Sequence, residues 1–509
     1  MTKINKTDTE SRTNGLDHEV VIIGAGFSGI GAAIELDRAG FTDLLLIEEG
    51  DGVGGAWHWN TYPGVGVDIP SFSYQFSFEQ RGNWSRVYAP GRELKAYADH
   101  CVDKYELRDR IRFSTRVTSG TFDDDTDSWT IGLSDGTSLR ARSIVVATGV
   151  LTQPKPPQID GIEDYRGTTM HTARWDHDVD LAGKRVGIIG TGASAVQVIP
   201  SIAPEVEDLV VFQRTPIWCL PKPDARLSAP LKLALGVPGA KSVSRFVSEL
   251  FVEANFPVPA HFYGYLPLAD GAEKIGHALL RAQVKDPVVR EKLTPKYGLG
   301  CKRPSFSNKY LPSYNRENVH LETTSIKRVT ETGVETVDGT HHELDVLILA
   351  TGFKVFEKGN MPPIPVTGSQ GADLDAFWEE NRFQAFQGVS IPGFPNAFLI
   401  LGPYGFNGSS YFNLIETQSR HIVRALKEAR RRKATRVEVS PEANERYFQR
   451  MLARRPKQVF YRDACSTANS YYFDAHGDVP LRPALTIEAK WEAATYPLDS
   501  YLYSSAVAR

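Results

Sequence analysis

The sequence predicts an α/β protein made of two Rossmann-like dinucleotide-binding domains, with a helical insertion in the second domain. Two observations predict this fold. A strand, a glycine-rich turn and a helix follow one another in the same order twice, and a segment with helical spacing of its apolar residues interrupts the second copy. The chain has 509 residues, which is enough for two or three domains of roughly 100–200 residues each.

The first copy begins with an apolar run at residues 19–23 that fits a strand buried on both faces. Three glycines follow, each with a predicted role. Gly24 permits the tight turn, Gly26 lets the backbone approach a pyrophosphate, and Gly29 allows close packing of the next helix. The second strand ends in Glu48, which follows Gly24 by 24 positions. A carboxylate at an offset of about 20 residues binds ribose hydroxyls in this fold.

The second copy begins with the apolar strand at residues 184–189 and continues in the G-x-G-x-x-A variant of the turn. Its next strand ends in Arg214 and Thr215 instead of an acid. An arginine and a hydroxyl accommodate a 2′-phosphate that a carboxylate would repel, so the sequence predicts NADP rather than NAD. The alternative is a surface arginine that merely follows a strand. The predicted cofactor-binding residues of this copy are Gly190, Gly192, Ala193, Ser194, Gln197, Arg214 and Thr215.

Two dinucleotide sites in one chain indicate an electron relay, with FAD at the first site and NADPH at the second. β-rich runs that end in Ala-Thr-Gly, at residues 143–149 and 345–352, fit places where the chain crosses between the domains. The predicted division is a flexible tail (1–17), an FAD-binding domain (18–150 and 353–509), an NADPH-binding domain (151–220 and 299–352) and a helical insertion (221–298). Apolar residues of the insertion are expected to face its helical core, namely Leu231, Leu233, Leu235, Phe246, Leu250 and Phe251.

Charge and composition exclude several other classes of protein. The chain has 58 basic and 61 acidic residues, a net charge of −3, and 41% hydrophobic residues, which is an ordinary globular composition. A disordered chain and a strongly basic nucleic-acid binder are therefore excluded. The basic run at 424–436 contains Glu428 and predicts a solvated helix face. No run approaches the roughly 18–20 apolar residues of a membrane span, and the first seventeen residues do not resemble a secretory signal.

The four cysteines are Cys101, Cys219, Cys301 and Cys465. No two of them form a Cys-x-x-Cys pair, so we expect no zinc ribbon, no dithiol redox centre and no metal site. Four scattered cysteines in a chain of this length are typical of a reducing cytosol. The sequence therefore predicts a cytoplasmic protein.

Two longer motifs give the chain its resemblance to a known family. The first runs from Gly54 to Asp68 and has the pattern G-G-x-W-x(4)-[F/Y]-P-G-x(3)-D. We name it the long fingerprint. The second, the short fingerprint, runs from Tyr165 to Asp176 and has the pattern F-x-G-x(3)-H-x(3)-W-[P/D], with Tyr in its first position. The chain thereby resembles the class B flavin monooxygenases and, among them, the Baeyer–Villiger monooxygenases. The residues that carry the match are Gly54, Gly55, Trp57, Tyr62, Pro63, Gly64, Asp68, Tyr165, Gly167, His171, Trp175 and Asp176.

The resemblance implies roles for several of these residues. Lys302 and Arg303 match a basic pair that lies between the two cofactors, with Arg303 facing the flavin and Lys302 holding the NADPH phosphate. Taken alone, two adjacent basic residues are an ordinary solvated pair. Asp68 is expected to pair with Arg303, the alternative being a carboxylate that caps a turn. Gly55 and Trp57 are expected at the cofactors.

The short fingerprint is expected to shape a hinge rather than to touch substrate. His171 and Trp175 would lie between the domains, next to the proline-rich crossing at residues 151–157, which is stiff and extended.

The implied activity is that of a Baeyer–Villiger monooxygenase. It uses NADPH, O2 and an FAD C4a-peroxide to convert ketones to esters or lactones, with Arg303 and Asp68 as its catalytic residues. Three alternatives remain: oxygenation of sulfur or nitrogen with the same cofactors, a flavin disulfide reductase, which would need a redox dithiol, and a cofactor-binding sensor without turnover. The preferred ketone, the selectivity and the oligomeric state stay open, and a monomer fits the sequence.

Overall fold

The computed structural model describes residues 15–468 and 470–506. The predicted flexible tail lies outside the described residues except for its last three positions. In the described part the strands are β1 (His18–Ile23), β2 (Leu44–Ile47), β3 (Ile111–Arg112), β4 (Val117–Asp123), β5 (Ser128–Leu133), β6 (Ser138–Val146), β7 (Thr168–His171), β8 (Arg185–Ile189), β9 (Asp208–Phe212), β10 (Cys219–Leu220), β11 (Ser305–Phe306), β12 (Val319–Glu322), β13 (Ile326–Thr330), β14 (Gly333–Thr336), β15 (His341–Glu343), β16 (Val346–Leu349), β17 (Val366–Thr367), β18 (Ala397–Leu399), β19 (Arg436–Val439) and β20 (Tyr501–Ser504).

The α-helices of the same residues alternate with these strands or group together. They are α1 (Phe27–Arg38), α2 (Ala56–Trp59), α3 (Gly91–Lys104), α4 (Ala193–Ile202), α5 (Ala229–Ala234), α6 (Ala240–Asn255), α7 (Pro257–His261), α8 (Leu268–Gln283), α9 (Pro287–Lys292), α10 (Tyr310–Ser313), α11 (Leu374–Asn381), α12 (Tyr411–Arg432), α13 (Pro441–Arg454) and α14 (Thr486–Thr495).

The larger sheet is built from both ends of the chain. Its order is β17-β4-β5-β6-β1-β2-β3, and β18 pairs with β6 from outside this path. Strands β2, β1, β6 and β18 are parallel, and β1 is covered on both faces, which is why its sequence is a continuous apolar run. Helices α1 and α12 pack against each other beside this sheet.

The second sheet is fully parallel, in the order β12-β9-β8-β16-β7. Its core contains the buried side chains of Val186, Ile188, Leu209, Val211 and Ile348. Both nucleotide-binding patterns thus lie at the carboxyl ends of central parallel strands, where dinucleotides bind in doubly wound sheets. The predicted α/β fold with two Rossmann-like units is confirmed.

Helices α5 to α9 confirm the helical insertion, but the predicted direction of its apolar residues is wrong. Of the six residues expected in its core, only Leu235 is buried. Helix α6 instead packs its Arg245 side inward, where the guanidinium donates hydrogen bonds to the Gln75 carbonyl oxygen and to Asn413 Oδ1. Helical spacing identifies an apolar face without saying whether protein covers it. The exposed members are Leu231, Leu233, Phe246, Leu250 and Phe251.

The long fingerprint packs between the two units. The backbone of Gly55 lies against the first glycine turn, because a Cβ at Gly55 would be 3.0 Å from Gly26 Cα. Gly64 lies against α4, where a Cβ would be 2.5 Å from the Gln197 carbonyl oxygen and would overlap the Ser201 hydroxyl. Gly64 also has φ +84°. Gly55 therefore allows close packing within the first unit, and Gly64 allows close packing between the two units.

Two segments cross between the sheets side by side. An antiparallel bridge joins Pro154 to Phe353. The Lys155 N–H donates to the Gly352 carbonyl oxygen at 2.9 Å, and the Thr351 hydroxyl donates to the Lys155 carbonyl oxygen at 2.6 Å. The proline-rich crossing is therefore paired with a second crossing at residues 351–353, and its role as a hinge stays a prediction.

Cys301 and Cys465 form a disulfide across a sequence separation of 164 residues. Cys101 and Cys219 are free and buried. The sequence analysis did not find this pair, because sequence spacing identifies only cysteines that are close along the chain. The absence of a dithiol redox centre stays a prediction.

Substituting Gly64 tests the packing between the units. Gly64→Ala should lower the thermal unfolding midpoint by several degrees more than Gly136→Ala. Gly136 has nearly the same φ of +83° but no heavy atom within 4 Å of an added Cβ. Both variants carry the cost of positive φ, about 1–2 kcal/mol, and only Gly64→Ala adds overpacking of about 1–3 kcal/mol. Equal midpoints in thermal scans of the two variants would contradict the close contact with α4.

Candidate functional site

Two helix N-termini are left without capping side chains at the ends of β1 and β8. Helix α1 begins after Gly26 and α4 after Gly192, and neither has a capping hydrogen bond or an acidic residue in its first turn. A missing cap alone does not distinguish them, because only α9, α11 and α13 of the described α-helices have a side-chain cap. What distinguishes α1 and α4 is that each follows a glycine turn at the end of a central parallel strand. A Cβ at Gly192 would meet no atom within 4 Å. Both N-termini therefore fit a pyrophosphate, as FAD and NADPH require.

The first glycine turn is held by Glu48. This carboxylate is buried and accepts the Ala25 N–H at 2.7 Å and the Gly50 N–H at 2.9 Å, one on each oxygen. Gly24 has φ +104°, and a Cβ at Gly29 would overlap the Gly24 carbonyl oxygen. Each carboxylate oxygen keeps acceptor capacity, and the ribose contact of Glu48 stays a prediction.

The second glycine turn is held by a hydroxyl group rather than by a carboxylate. The Thr191 hydroxyl donates to the Thr215 carbonyl oxygen at 2.9 Å, which ties the turn to the end of β9. Ala193 is exposed and Ser194 half-buried at the start of α4, so both present backbone to the open side.

The Gln197 side chain, predicted at the cofactor, is engaged with the long fingerprint. Its Nε2 donates to the Gly66 carbonyl oxygen at 2.9 Å, and its Oε1 accepts from the Tyr62 hydroxyl at 3.0 Å. The structure thus gives Gln197 an inter-domain contact, and binding of cofactor by this side chain stays a prediction.

Arg214 and Lys302 form a site of unneutralised positive charge. Arg214 is exposed after β9. Burial, followed by the positive charge of Arg214, lowers the pKa of the half-buried Lys302. Neither side chain has an ion-pair partner among residues 15–468 and 470–506. Two neighbouring cations without a carboxylate favour an anion, and a 2′-phosphate fits this pair.

Arg303 lies at the junction of the two units beside Asp68. The Asp68 Oδ2 atom is 3.9 Å from Arg303 Nη2, and Asp68 Oδ1 is 3.8 Å from Lys222 Nζ. Lys222 also donates to the Val67 carbonyl oxygen at 2.9 Å. Burial is the largest single influence and lowers the pKa of Arg303, but the Asp68 carboxylate and three neighbouring tyrosines together raise the pKa above its ordinary value. The cluster has two cations and one anion, so it carries a net positive charge.

Lys222 is a site residue that the sequence analysis missed. It lies in a Pro-Lys-Pro segment after the second nucleotide strand, 155 positions from Val67. A lone lysine in a proline-rich turn has no distinguishing spacing. Only the packing of the two units brings it to Asp68.

Aromatic side chains surround Arg303. Tyr74, Tyr471 and Tyr472 each contribute to its electrostatic environment. Trp57 Nε1 donates to the Tyr74 hydroxyl at 3.2 Å. Trp57, predicted at the cofactors, therefore holds the position of Tyr74. Burial raises the pKa of all three tyrosines, so they stay neutral. The tyrosines therefore add no charge to the cluster of Asp68, Lys222 and Arg303.

His171 lies beside the paired crossing segments. Its Nδ1 accepts the Ala173 N–H at 3.0 Å, and its Nε2 lies 3.3 Å from the Thr351 hydroxyl. Burial, followed by the charge of Arg174, lowers the pKa of His171 and favours the neutral ring. Arg174 stacks over Trp59 of the long fingerprint, with 4.1 Å from its guanidinium carbon to the ring centroid. These contacts place the short fingerprint between the domains, away from Arg303.

The remaining fingerprint side chains have structural contacts. The Tyr165 hydroxyl donates to the Leu344 carbonyl oxygen at 3.0 Å, and a Cβ at Gly167 would overlap the Tyr165 ring. Trp175 packs partly buried against the core of the second sheet. Asp176 is exposed and accepts the Asp178 N–H at 2.9 Å. Tyrosine in the first position thus gains a hydrogen bond that phenylalanine could not make.

Residues 15–468 and 470–506 contain no group of three His, Cys, Asp or Glu side chains that could hold a metal ion. None of their helices is both long enough and apolar enough to cross a membrane.

The chain is similar in sequence to proteins of a known family. A family model described as pyridine nucleotide-disulphide oxidoreductase matches residues 21–230. A Baeyer–Villiger monooxygenase of Streptomyces coelicolor (strain ATCC BAA-471 / A3(2) / M145) is 36% identical over 491 residues, covering 95% of this chain and 92% of that protein.

Solved structures agree over almost the whole chain. The closed crystal structure of cyclohexanone monooxygenase matches with a TM-score of 0.86 and 30% identity, covering 96% of this chain and 99% of that one. A crystal structure of OTEMO in complex with FAD and NADP matches with a TM-score of 0.85 and 27% identity, covering 96% and 100%. With two nucleotide folds, both fingerprints and these relatives, the chain belongs to the Baeyer–Villiger monooxygenases, which use FAD and NADPH.

Proposed function

We propose that the protein converts a ketone to an ester or lactone in the cleft around Arg303, with one oxygen atom of O2 entering the product. The overall reaction consumes the ketone, O2, NADPH and a proton, and yields the ester, NADP+ and water. FAD, when bound, supplies the oxygen-activating chemistry. The observation that carries the proposal is the Arg303 cation, held beside Asp68 where the two nucleotide-binding units meet, with three tyrosines nearby.

Arg303 is proposed to stabilise negative charge on the ketone oxygen. Its guanidinium is charged at every working pH and presents several N–H donors in a fixed plane. A donor fixed before the reaction stabilises developing charge without reorganising, and in a cleft without water it does so strongly.

Asp68 holds the Arg303 guanidinium, and Lys222 keeps the cluster from becoming neutral. An Arg303–Asp68 pair alone would have no net charge to offer an oxyanion. With Lys222 at 3.8 Å from Asp68, one positive charge remains. Tyr471 and Tyr472 lie near the guanidinium and are neutral, so they add no charge to the cluster.

NADPH is proposed to bind with its pyrophosphate at the N-terminus of α4 and its 2′-phosphate between Arg214 and Lys302. Lys302 precedes Arg303 directly. The residue proposed to bind the coenzyme phosphate and the residue proposed to stabilise the oxyanion are therefore neighbours in the chain. The bound phosphate thereby fixes the position of the Arg303 backbone.

Oxygenation of sulfur or nitrogen is the competing activity with the same cofactors. The charged cluster at Arg303 favours the ketone, because a carbonyl develops negative charge on oxygen when it is attacked, whereas a thioether does not. The argument from a missing dithiol no longer excludes a flavin disulfide reductase, since the chain has a disulfide. Both fingerprints and the named relatives favour the monooxygenase.

The partners we propose are small molecules only, a ketone and O2, with the chain acting as a monomer. A cytoplasmic location is proposed from composition. Fractionation of cells that express the full chain tests the location, and light scattering of the purified protein tests the oligomeric state.

A product assay tests the function directly. FAD-loaded protein should turn linear, cyclic or aryl ketones into esters or lactones in the presence of NADPH. Arg303→Ala should keep its bound FAD and lose ester formation by roughly 10²–10³-fold, the effect of removing one preorganised oxyanion donor. Arg116→Ala, at a 66% exposed surface arginine, is the control and should match the wild type. Thioether oxidation without ester from any ketone, or near-normal ester yield from Arg303→Ala, would contradict the proposal.

Coenzyme choice tests the phosphate site. Arg214→Ala should raise the KM for NADPH about tenfold or more, since one charge-assisted contact is worth roughly 1.5–3 kcal/mol, and leave the KM for NADH unchanged. Arg166→Ala, at a 75% exposed arginine of the same unit, is the matched control. The measurement is steady-state NADPH and NADH oxidation. Parallel increases for both coenzymes would refute a contact with the 2′-phosphate.

A further inference from the structure

Helix α6 turns its polar side toward the protein and its apolar side outward. The buried Arg245 guanidinium donates to the Gln75 carbonyl oxygen and to Asn413 Oδ1. The opposite side carries five large apolar residues at positions i, i+3, i+4, i+7 and i+8, each between 41% and 63% exposed. A surface helix that faces water has the reverse arrangement. We name these five residues the outer face of α6: Val243, Phe246, Val247, Leu250 and Phe251.

The exposed apolar surface continues on the neighbouring elements. In α5 and the turn after it, Leu231, Leu233 and Val237 are exposed, and Leu233 is 80% exposed. On α14, Ile487 and Trp491 are exposed as well. Single exposed apolar side chains are ordinary, whereas a cluster of them marks an interaction surface.

Both acidic residues of α6 are turned to the protein. Glu249 pairs with Arg245 at 2.8 Å and with Lys490 of α14 at 3.5 Å. Glu253 accepts the N–H of Thr486, the first residue of α14, at 2.9 Å. These contacts place α14 beside α6 and keep the two carboxylates away from the outer face.

Two cations lie at the α5 end of the same surface. Arg226 is exposed three positions before α5, and Lys232 lies within that helix. Neither has an ion-pair partner among residues 15–468 and 470–506. The acidic residue nearest to them in sequence, Asp224, is engaged by Arg86 at 2.8 Å. The surface is therefore apolar over α6 and positively charged at its α5 end.

This charge favours a lipid surface over a second copy of the chain. A two-fold dimer would use the same patch on both copies, so unpaired cations would meet the same cations, and like charges repel. An anionic bilayer complements them, because its headgroups attract basic residues while Phe, Leu and Val enter the boundary between headgroups and acyl chains. An exposed tryptophan such as Trp491 is typical of that boundary.

We propose that the outer face of α6, together with the exposed side chains of α5, docks the protein onto an anionic lipid bilayer. Phe246 and Leu250 enter the acyl boundary, and Arg226 and Lys232 contact the headgroups. The helix lies in the plane of the interface, because its Arg245 side stays bound to the protein. The docking goes beyond the proposed function and adds a lipid surface to the partners proposed above.

Vesicle flotation tests the docking. The FAD-loaded full chain should float with phosphatidylcholine vesicles that contain about one quarter phosphatidylserine. It should bind pure phosphatidylcholine vesicles at least tenfold more weakly, since each basic residue near an anionic surface strengthens binding about fivefold. The Phe246→Ser, Leu250→Ser variant should bind the anionic vesicles at least tenfold more weakly than the wild type, because it loses two side chains that enter the apolar phase.

The Val337→Ser, Leu502→Ser variant is the matched control. These two side chains are exposed by 60% and 53% and lie outside the insertion, so this variant should float as the wild type does. All variants should keep the FAD content and the thermal midpoint of the wild type, which excludes misfolding. Equal affinity of the Phe246→Ser, Leu250→Ser variant and the control for anionic vesicles would overturn the proposal.

The charges and the competing occupant are tested in the same assay. Arg226→Gln, Lys232→Gln should weaken flotation with anionic vesicles by tenfold or more, and equal binding of the wild type to neutral and anionic vesicles would contradict the charge argument. Failure of the wild type to float would overturn the docking. If light scattering then showed a dimer that dissociates in the Phe246→Ser, Leu250→Ser variant, the surface would belong to a second copy.

A fluorescent label reports insertion without removing a large side chain from the α6 core. Val243→Cys, labelled with an environment-sensitive dye, should shift its emission to shorter wavelength on anionic vesicles, and Val337→Cys should not. Cys101 and Cys219 are buried and the other two cysteines form the disulfide, so the dye reaches the new thiol. An unchanged spectrum at position 243 in a protein that floats would refute docking through α6. Neither measurement depends on ester formation, so the proposed function stands or falls separately.

Discussion

The structure depends on keeping one guanidinium charged and fixed inside a cleft. Removing a charge from water is costly unless a counter-charge and hydrogen bonds replace the water. Asp68 provides that counter-charge for Arg303, and Lys222 prevents Asp68 from cancelling the field completely. Asp68 comes from the long fingerprint, whereas Arg303 and Lys222 come from the second nucleotide-binding half of the chain. The reacting site therefore exists only when the two halves pack together.

The long fingerprint makes that packing possible. Gly55 lies on the first glycine turn, Gly64 lies on α4, and Gln197 reaches back to Tyr62. The short fingerprint joins the same region through Arg174 over Trp59. Both motifs thus position the cofactor folds relative to each other. Beside them, the paired crossing at Pro154 and Phe353 is the place where the halves would rotate.

Much of the fold and part of the candidate site could be predicted from local sequence patterns. Buried strands, glycine turns and uncapped helix starts follow from short sequence motifs with a direct physical meaning, so Gly24, Gly190 and the α/β fold could be predicted. The predicted phosphate contact of Arg214 likewise follows from chemistry at a known position, whereas the role of Lys302 came from the resemblance to a family. The pairing of Asp68 with Arg303 needed the resemblance to a family, because no spacing rule joins residues so far apart.

Long-range contacts were not predictable. Cys301 and Cys465 are separated by 164 residues, and Lys222 gains its role only through tertiary packing. Gln197 was expected at a cofactor because it follows the glycine turn, yet its amide turns to the other domain. The apolar residues of the insertion have helical spacing, but the buried side of α6 is set by Arg245 and its polar partners. In each case the decisive contact joins residues that are far apart in the sequence.

A double-mutant cycle on Asp68 and Lys222 tests the charge balance at Arg303 most directly. Asp68→Asn alone leaves two neighbouring cations without their shared anion, and Lys222→Met alone leaves a neutral pair. The double variant restores a single positive charge. Measured as kcat/KM for a ketone, it should therefore lose less than the sum of the single losses, by about 1 kcal/mol or more. Additivity within about 0.5 kcal/mol would contradict the account.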